Sequence, residues 1–112
     1  MSKLRNQAVA DVFFALGDST RLSVVTKLGT TGALSATTLS QGAKVSRQAI
    51  VKHLQVLEGA GLVTSEKRGR DVLYALEPDR LEDARLFLDG ISASWDRAID
   101  RLRKLVEDSG SS

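Results

Sequence analysis

Residues 45–63 read VSRQAIVKHLQVLEGAGLV, and this stretch predicts a helix with two chemically different faces, followed by a turn and a strand. Ile50, Leu54 and Leu57 recur at helical spacing, which indicates that one face of the helix is buried. Ser46 is a favoured N-cap residue, because its hydroxyl can accept a hydrogen bond from the first helical turn. The helix is therefore expected to begin just after Ser46.

The opposite face of this helix is polar and free of acidic residues; it carries Arg47, Gln48, Val51, Lys52 and Gln55. Lys and Arg side chains suit phosphates, and Gln or Arg can form two hydrogen bonds with a base edge in the major groove of DNA. The same pattern fits an ordinary amphipathic surface helix with a solvated basic face. The flanking segments therefore have to distinguish the two interpretations.

The segment upstream, residues 34–45, predicts a short helix that Ser35 caps, that buries Leu39 and that stops near Gly42. A tight connection then leads into the helix that follows Ser46. Two helices joined by a short turn that contains Gly form a helix-turn-helix motif.

The segment downstream contains two strand-like runs, residues 62–67 and 72–76, with Gly69 between them as the residue that a hairpin turn needs. Lys67, Arg68 and Arg70 lie at the tip of this hairpin. Such a tip fits a solvated turn, but next to a helix-turn-helix it favours a wing that contacts the DNA backbone or the minor groove.

Three pieces of the sequence resemble the ArsR-type family of small bacterial repressors: FALGDSTRL at residues 14–22, residues 45–63, and RGR at 68–70 followed by LYAL at 73–76. The resemblance spans roughly residues 8–78. It implies a mainly α fold with a small β-hairpin (α+β), a winged helix-turn-helix of order α-α-α-α-β-β-α, and a two-fold homodimer through the terminal helices. One departure is Val51, which stands where many members carry a small hydroxyl residue.

The candidate DNA-binding residues follow from this arrangement. Contacts to bases and to the groove are expected from Arg47, Gln48, Val51, Lys52 and Gln55. Contacts to phosphates and to the minor groove are expected from Lys44, Ser46, His53, Lys67, Arg68 and Arg70. For His53 the alternative is a partly buried packing residue, and the resemblance favours the phosphate contact.

The distribution of charge along the sequence agrees with a DNA-binding protein. Residues 44–70 hold six Lys or Arg against two Glu, whereas the remaining residues hold ten basic against twelve acidic side chains. A basic patch on an otherwise balanced chain is the electrostatic pattern expected of a DNA-binding protein. We predict one domain over residues 1–108 and a disordered tail over 109–112. We expect a cytoplasmic protein, because no apolar stretch approaches 18 residues and no signal peptide is evident.

The C-terminal third predicts a long helix with a packing seam. Apolar residues recur in two heptad series, at 81, 88, 95 and 102 and at 84, 91, 98 and 105; Asp79 and Glu82 are expected to cap its start, and Gly90 to bend or divide it. The first helix has a similar apolar stripe. We predict a homodimer in which both helices pack on the partner through Leu4, Val9, Val12, Phe13, Leu88, Ile91, Trp95, Leu102 and Leu105. The alternative is that both helices fold back onto their own core.

The residue types that this sequence lacks argue against a metal site, a cofactor site or an enzymatic active site. The chain has no Cys and a single His, whereas a transition-metal site needs three or four nitrogen or sulfur ligands. A site built only from oxygen ligands of the last helix remains as an alternative to its carboxylates forming a solvated face. No Ser–His–acid set or Gly-rich phosphate loop is evident. Gly29 is predicted to be the C-cap of the second helix and to have no chemical role.

The sequence therefore predicts a sequence-specific regulator of transcription that binds double-stranded DNA. The resemblance implies a dimeric repressor that occupies an inverted-repeat operator, including the promoter of its own gene. One hypothesis places a small-molecule effector near Trp95, Phe13, Phe14 or Phe87 at the dimer interface; the alternative is that these aromatic residues belong to the core. The alternatives are a winged helix that serves only as a protein-interaction or dimerisation module, and a metal-responsive repressor with an atypical site.

Overall fold

The computed structural model describes residues 2–110, with side chains described over residues 6–108. Within residues 2–110, five helices and three strands follow one another: α1 (Ser2–Leu16), α2 (Ser19–Thr31), β1 (Leu34–Ser35), α3 (Ala36–Ser40), α4 (Arg47–Gly59), β2 (Val63–Arg68), β3 (Asp71–Leu76) and α5 (Pro78–Gly110). This confirms the predicted order of elements, with β1 as an additional short strand.

The strands form an antiparallel sheet of order β1-β3-β2, so the wing is a hairpin whose returning strand also pairs with the segment before α3. The hairpin register pairs Arg68 with Asp71, which leaves Gly69 and Arg70 as the turn. Gly69 has a φ of +61° at the first turn position, the position that a type II′ hairpin reserves for glycine. The sequence did not reveal β1 because two residues are too few to show an alternating pattern.

The helix-turn-helix forms as predicted, with a serine cap on each helix. Ser35 Oγ accepts a hydrogen bond from the Thr38 N–H at 3.1 Å, and Ser46 Oγ accepts one from the Ala49 N–H at 3.1 Å. Residues 41–46 connect α3 to α4, and Gly42 adopts a φ of +81° there. That conformation is rarely open to other residues, so Gly42 allows the chain to turn sharply between the two helices.

One face of α4 lies in the hydrophobic core. Ile50, Leu54 and Leu57 are 1%, 0% and 0% exposed, as the spacing predicted. They belong to a single cluster of buried residues together with Val12, Ala15, Val24, Leu28, Ala36, Leu39, Leu62, Val63 and Ala84. α1, α2, α3, β2 and the start of α5 thus contribute buried residues to the core in which α4 lies.

Two helix ends differ from the predictions. α2 continues past Gly29 to Thr31, and the residue that ends it is Gly32, whose φ is +98° and whose N–H donates to the Leu28 carbonyl. α5 begins at Pro78, where the absent N–H of proline costs no helical hydrogen bond. The carboxylate that accepts the Asp79 N–H belongs to Glu77. Asp79 therefore does not cap α5, and no capping contact involves Glu82.

α5 runs unbroken through Gly90 and ends at Gly110. Residues 109 and 110, predicted as part of a disordered tail, continue this helix; residues 111 and 112 lie outside the described part of the chain. Thirty-three residues give a helix about 50 Å long. Near its start, α5 packs on its own chain: Ala84 is buried, and the rings of Phe13 and Phe87 join α1 to α5 with centroids 6.0 Å apart.

The shape of the molecule reflects this projecting helix. The principal extents are 74 × 34 × 20 Å, and the radius of gyration is 19.7 Å. A compact chain of this length would have a radius of gyration of about 13 Å. Most of α5 therefore lies outside the globular part of the described chain.

A polar cluster ties α4 to the start of α2. The guanidinium of Arg21 donates to the carbonyl of Ala15 at 2.6 Å and to Nδ1 of His53 at 3.2 Å. Because a guanidinium can only donate, Nδ1 of His53 is the acceptor in this contact. Asp18 Oδ2 lies 3.8 Å from the same Nδ1 and also accepts the Arg21 N–H, so Asp18 caps α2. The cluster connects α1, α2 and α4.

The electrostatics of this cluster lower the pKa of Asp18. The hydrogen bond from the Arg21 N–H stabilises the carboxylate most, and the Coulombic interactions with His53 and with the Arg21 guanidinium add to it, whereas partial desolvation opposes them. A pKa below the ordinary value of 3.8 means that the folded state binds this proton less readily than the unfolded state. The charged carboxylate therefore stabilises the fold above the unfolded pKa and loses this effect as the pH falls through the folded pKa.

We expect the Asp18→Asn variant to remove this acid sensitivity while keeping an N-cap, since Asn caps helices about as well as Asp. The wild-type protein should melt at a higher temperature than the variant at pH 5, and the difference should shrink as the pH falls below the ordinary Asp pKa of 3.8. Thermal unfolding followed by circular dichroism measures this difference. The Asp18→Ala variant, which loses the cap as well, should melt lower than Asp18→Asn at pH 5. A difference that stayed constant down to pH 2 would contradict a lowered pKa.

Candidate nucleic-acid interface

The outer face of α4 presents four polar side chains to solvent. Arg47, Gln48, Lys52 and Gln55 are all exposed, opposite the buried side of the helix. The acidic residue of this helix is Glu58, which lies in the last turn and accepts a hydrogen bond from Ser65 on β2. The first three turns therefore offer guanidinium, ammonium and amide donors with no carboxylate among them. These are the groups that bind phosphates and the edges of bases.

Two α4 residues that the sequence predicted to contact DNA, Val51 and His53, lie between the outer face and the buried face of the helix. Val51 is half-buried and packs against the core, so at most part of its side chain faces outward. His53 is also half-buried and its Nδ1 bonds to Arg21, which is compatible with the packing alternative; its phosphate contact stays a prediction. Both residues stand between the two faces of the helix, where the apolar spacing alone could not assign them.

Contacts within the motif position the first turn of α4. Arg47 Nε donates to the Thr37 hydroxyl on α3 at 3.0 Å, which joins the two helices of the motif. The hydroxyl of Ser46 is engaged in the helix cap. Thr37 is a residue that the sequence interpretation missed. Its partner is ten positions away, and no local pattern links the two.

The basic side chains of the wing are exposed to solvent. Lys67, Arg68 and Arg70 are exposed, as is Lys44 in the turn before α4. Arg68 Nε lies 3.6 Å from the Glu66 carboxylate on the same strand, and the two side chains are 68% and 69% exposed. Such an exposed ion pair contributes little energy, so a phosphate can replace Glu66 as the partner of Arg68.

The six basic residues of the 44–70 segment are thus all exposed, and none is fixed in a buried ion pair. This arrangement can neutralise phosphates and offer hydrogen bonds to bases. Within residues 2–110, no group of three His, Asp or Glu side chains is placed to hold a metal ion. The acids Glu82 and Asp89 on α5 are instead paired with Arg85.

The predicted dimer residues divide into two groups. Val9 and Val12 are 4% and 0% exposed, so their own chain covers both of them, in contrast to the predicted contact with a partner. Phe13 is half-buried against Phe87. By contrast, the five predicted dimer residues on α5 are between 40% and 64% exposed: Leu88, Ile91, Trp95, Leu102 and Leu105. The side chain of Leu4 lies outside the described residues.

In the described part of the chain, no helix is both long and apolar enough to cross a bilayer. α5 has the length, but charged residues interrupt it throughout, for example Arg85, Asp89, Asp96 and Asp100. Its exposed apolar residues form a stripe along the helix and not a continuous apolar surface.

Comparisons with known proteins agree with this site. The family described as a helix-turn-helix domain matches residues 16–66. The HTH-type transcriptional regulator Rv2034 of Mycobacterium tuberculosis is 35% identical over 96 residues, which is 86% of each chain. The solved structure of an ArsR-like transcriptional regulator from Rhodococcus sp. RHA1 is 39% identical, with a TM-score of 0.77 over 89% of this chain and 93% of that one. The transcriptional repressor BigR from Xylella fastidiosa is 25% identical, with a TM-score of 0.61 over 76% and 84% of the two chains.

The helix-turn-helix match covers α2, α3, α4 and the start of the wing. Each of these relatives is named a regulator or a repressor of transcription. The chain belongs to the ArsR family of winged helix-turn-helix proteins and is a DNA-binding regulator of transcription.

Proposed function

We propose that this protein is a homodimeric repressor that binds an inverted-repeat operator in double-stranded DNA in the cytoplasm, including the promoter of its own gene. The observation that carries the proposal is the outer face of α4, where Arg47, Gln48, Lys52 and Gln55 are exposed on a helix anchored in the core. A rigid helix with free amide and guanidinium groups suits the major groove. The exposed cations of the wing suit the adjacent backbone or minor groove.

The apolar stripe of α5 supports a dimer. Trp95, Leu102 and Leu105 are each more than 60% exposed on a helix that projects from the globular part. A groove of about 480 Å³ separates α1 from α5 next to this stripe, and Phe87 and Ile91 line it. A second copy related by a two-fold axis would cover the stripe and the groove at once, since such an interface uses the same patch on both subunits.

A two-fold dimer places two α4 helices on one face of the DNA. Two such helices enter successive major grooves about 34 Å apart, and the matching operator is an inverted repeat. A dimer seated on a promoter excludes other proteins from that DNA, which is the simplest route to repression and needs no catalytic group. The naming of the relative from Xylella fastidiosa as a transcriptional repressor supports this direction of control.

Fluorescence anisotropy with DNA from upstream of the protein's own gene, and with a scrambled duplex, tests the proposal at two salt concentrations. We expect about a thousand-fold preference for the upstream DNA and a steep fall of affinity with salt. Weak binding, equal for both duplexes, would contradict autoregulation. Selection from random DNA would then show whether another operator exists. If no sequence were enriched, the winged helix would serve protein partners alone.

We expect Gln48→Ala to relax sequence specificity. The Gln48 amide can form two hydrogen bonds with one base, and the alanine variant can no longer recognise that base. The cost at the preferred operator should be about 1–3 kcal/mol, with little change on scrambled DNA. Anisotropy titrations on both duplexes measure the difference. Gln7→Ala on α1, where the side chain bonds to Asp11, is the matched control and should change neither affinity. Unchanged affinity of Gln48→Ala for the operator would contradict the proposed orientation of α4.

We expect Arg68→Ala to weaken binding to all DNA by a similar factor, because a phosphate contact carries no sequence information. The slope of log affinity against log salt should become less steep by about 0.9 for each lost contact per subunit. The same titrations over a series of salt concentrations provide the slope. Arg97→Ala, an exposed arginine on α5, is the control and should leave the slope unchanged. A loss confined to the operator duplex would place Arg68 on a base instead.

We expect Leu102→Glu to convert the dimer into a monomer, because it buries a charge in the apolar seam. Sedimentation velocity measures the mass, and the monomer should bind the operator far more weakly since it reads one half-site. Ala93→Glu, at an exposed position outside both heptad series, adds the same charge and should remain dimeric. A wild-type protein that sediments as a monomer at micromolar concentration would refute the dimer.

A further inference from the structure

A cleft of about 340 Å³ opens between α2 and the turn that connects α3 to α4. Its floor is the edge of the hydrophobic core, formed by Val24, Leu39, Val45 and Ile50. The volume lies at the lower end of the range for pockets that bind small molecules, about 300–1,000 Å³. The cleft is separate from the exposed stripe of α5 and from the outer face of α4.

The rim of this cleft is polar and positively charged. Thr20, Ser23 and Lys27 line it on α2, and Gln41 and Lys44 line it on the turn. None of the described residues that line the cleft is acidic, and no ion pair or hydrogen bond of the structure occupies either lysine side chain. An apolar floor beneath two ammonium groups and two hydroxyls is complementary to a small molecule with an apolar body and one anionic end.

We propose that this cleft is the effector site of the regulator and that its ligand is a small amphipathic organic anion, such as a medium-chain or aromatic carboxylate. The carboxylate binds Lys27 and Lys44, and the apolar body lies on Val24, Leu39 and Val45. The proposal rests on the function proposed above, and it places the effector at the motif itself and not among the aromatic residues of α1 and α5.

The position of the cleft determines the direction of control. Lys44 precedes the first turn of α4 and is a candidate phosphate contact, so a ligand carboxylate competes with DNA for the same ammonium group. The ligand also fills the space beside residues 41–46, which set where α4 begins. Ligand and DNA therefore oppose each other's binding, and the two must weaken one another by the same factor.

Octanoate is a suitable probe, with 1-octanol as its neutral counterpart and inorganic phosphate as an anion without an apolar body. Titration of ¹⁵N-labelled full-length protein, followed by two-dimensional NMR, locates each probe by the amides it shifts. We expect octanoate to shift the amides of residues 20–27 and 41–46, with 1-octanol and phosphate at least about tenfold weaker. Octanoate should also lower the affinity for operator DNA.

Three variants test the assignment. Lys27→Ala should weaken octanoate binding about tenfold and leave the DNA affinity of the ligand-free protein unchanged. Lys104→Ala, which removes an exposed lysine from α5, is the matched control and should bind octanoate like the wild type. Ser23→Phe places a ring at the exposed rim and should block octanoate while the protein still folds and binds DNA.

Several outcomes would overturn the proposal. Octanoate that shifts only α1 and α5 would place the effector in the groove beside Phe87, and no saturable shift at millimolar probe would refute an anion site. Phosphate that shifts residues 41–46 as strongly as octanoate, with Lys27→Ala weakening DNA binding, would assign the cleft to the DNA backbone. Normal operator binding without octanoate binding would refute only the effector site. Octanoate binding without specific DNA binding would instead refute the proposed function.

Discussion

The burial of one face of α4 is the constraint on which the rest of the structure depends. Ile50, Leu54 and Leu57 have essentially no exposed surface, and burial of each such side chain stabilises the fold by roughly 1.5–3 kcal/mol. The three together are comparable to the whole net stability of a small domain, about 5–15 kcal/mol. Rotation of α4 about its axis would therefore unfold the protein, and the outer face of the helix is fixed toward solvent. Two side-chain hydrogen bonds also connect α4 to its neighbouring helices: Arg21 of α2 bonds to His53, and Thr37 of α3 bonds to Arg47.

The small core explains why the terminal helices extend beyond it. α2, α3, α4 and the sheet already cover the buried residues, and α1 and the first turns of α5 complete the cover. The remaining length of α5 has no partner within the described chain, although its apolar residues continue at regular spacing as far as Val106. The exposed stripe and the exposed cations thus arise from one architecture. The core fixes the orientation of α4, and the protruding α5 leaves its apolar stripe exposed.

Electrostatics in this protein depend on placement more than on total charge. The formal net charge is only +2, yet the six basic residues between 44 and 70 are all exposed and the two acids among them are surface residues. The acids of α5 are partly paired along their own helix, as Arg85 shows with Glu82 and Asp89. Exposed cations that lack strong partners remain available to polyanions, and the field they create is sensitive to salt.

The sequence by itself determined the helix-turn-helix, its serine caps, the hairpin with Gly69 at the turn, and the exposed positions of Arg47, Gln48, Lys52 and Gln55. These features are local, since periodicity, capping and turn chemistry act over a few residues. Only the tertiary structure decided the positions of Val9 and Val12, which are covered by distant parts of the chain, and of His53, which bonds to Arg21 thirty-two residues away. It also decided that α5 continues through Gly90, that β1 joins the sheet, and that a cleft forms beside Lys27. A stripe of apolar residues predicts that a face will be covered, but only the packed chain shows what covers it.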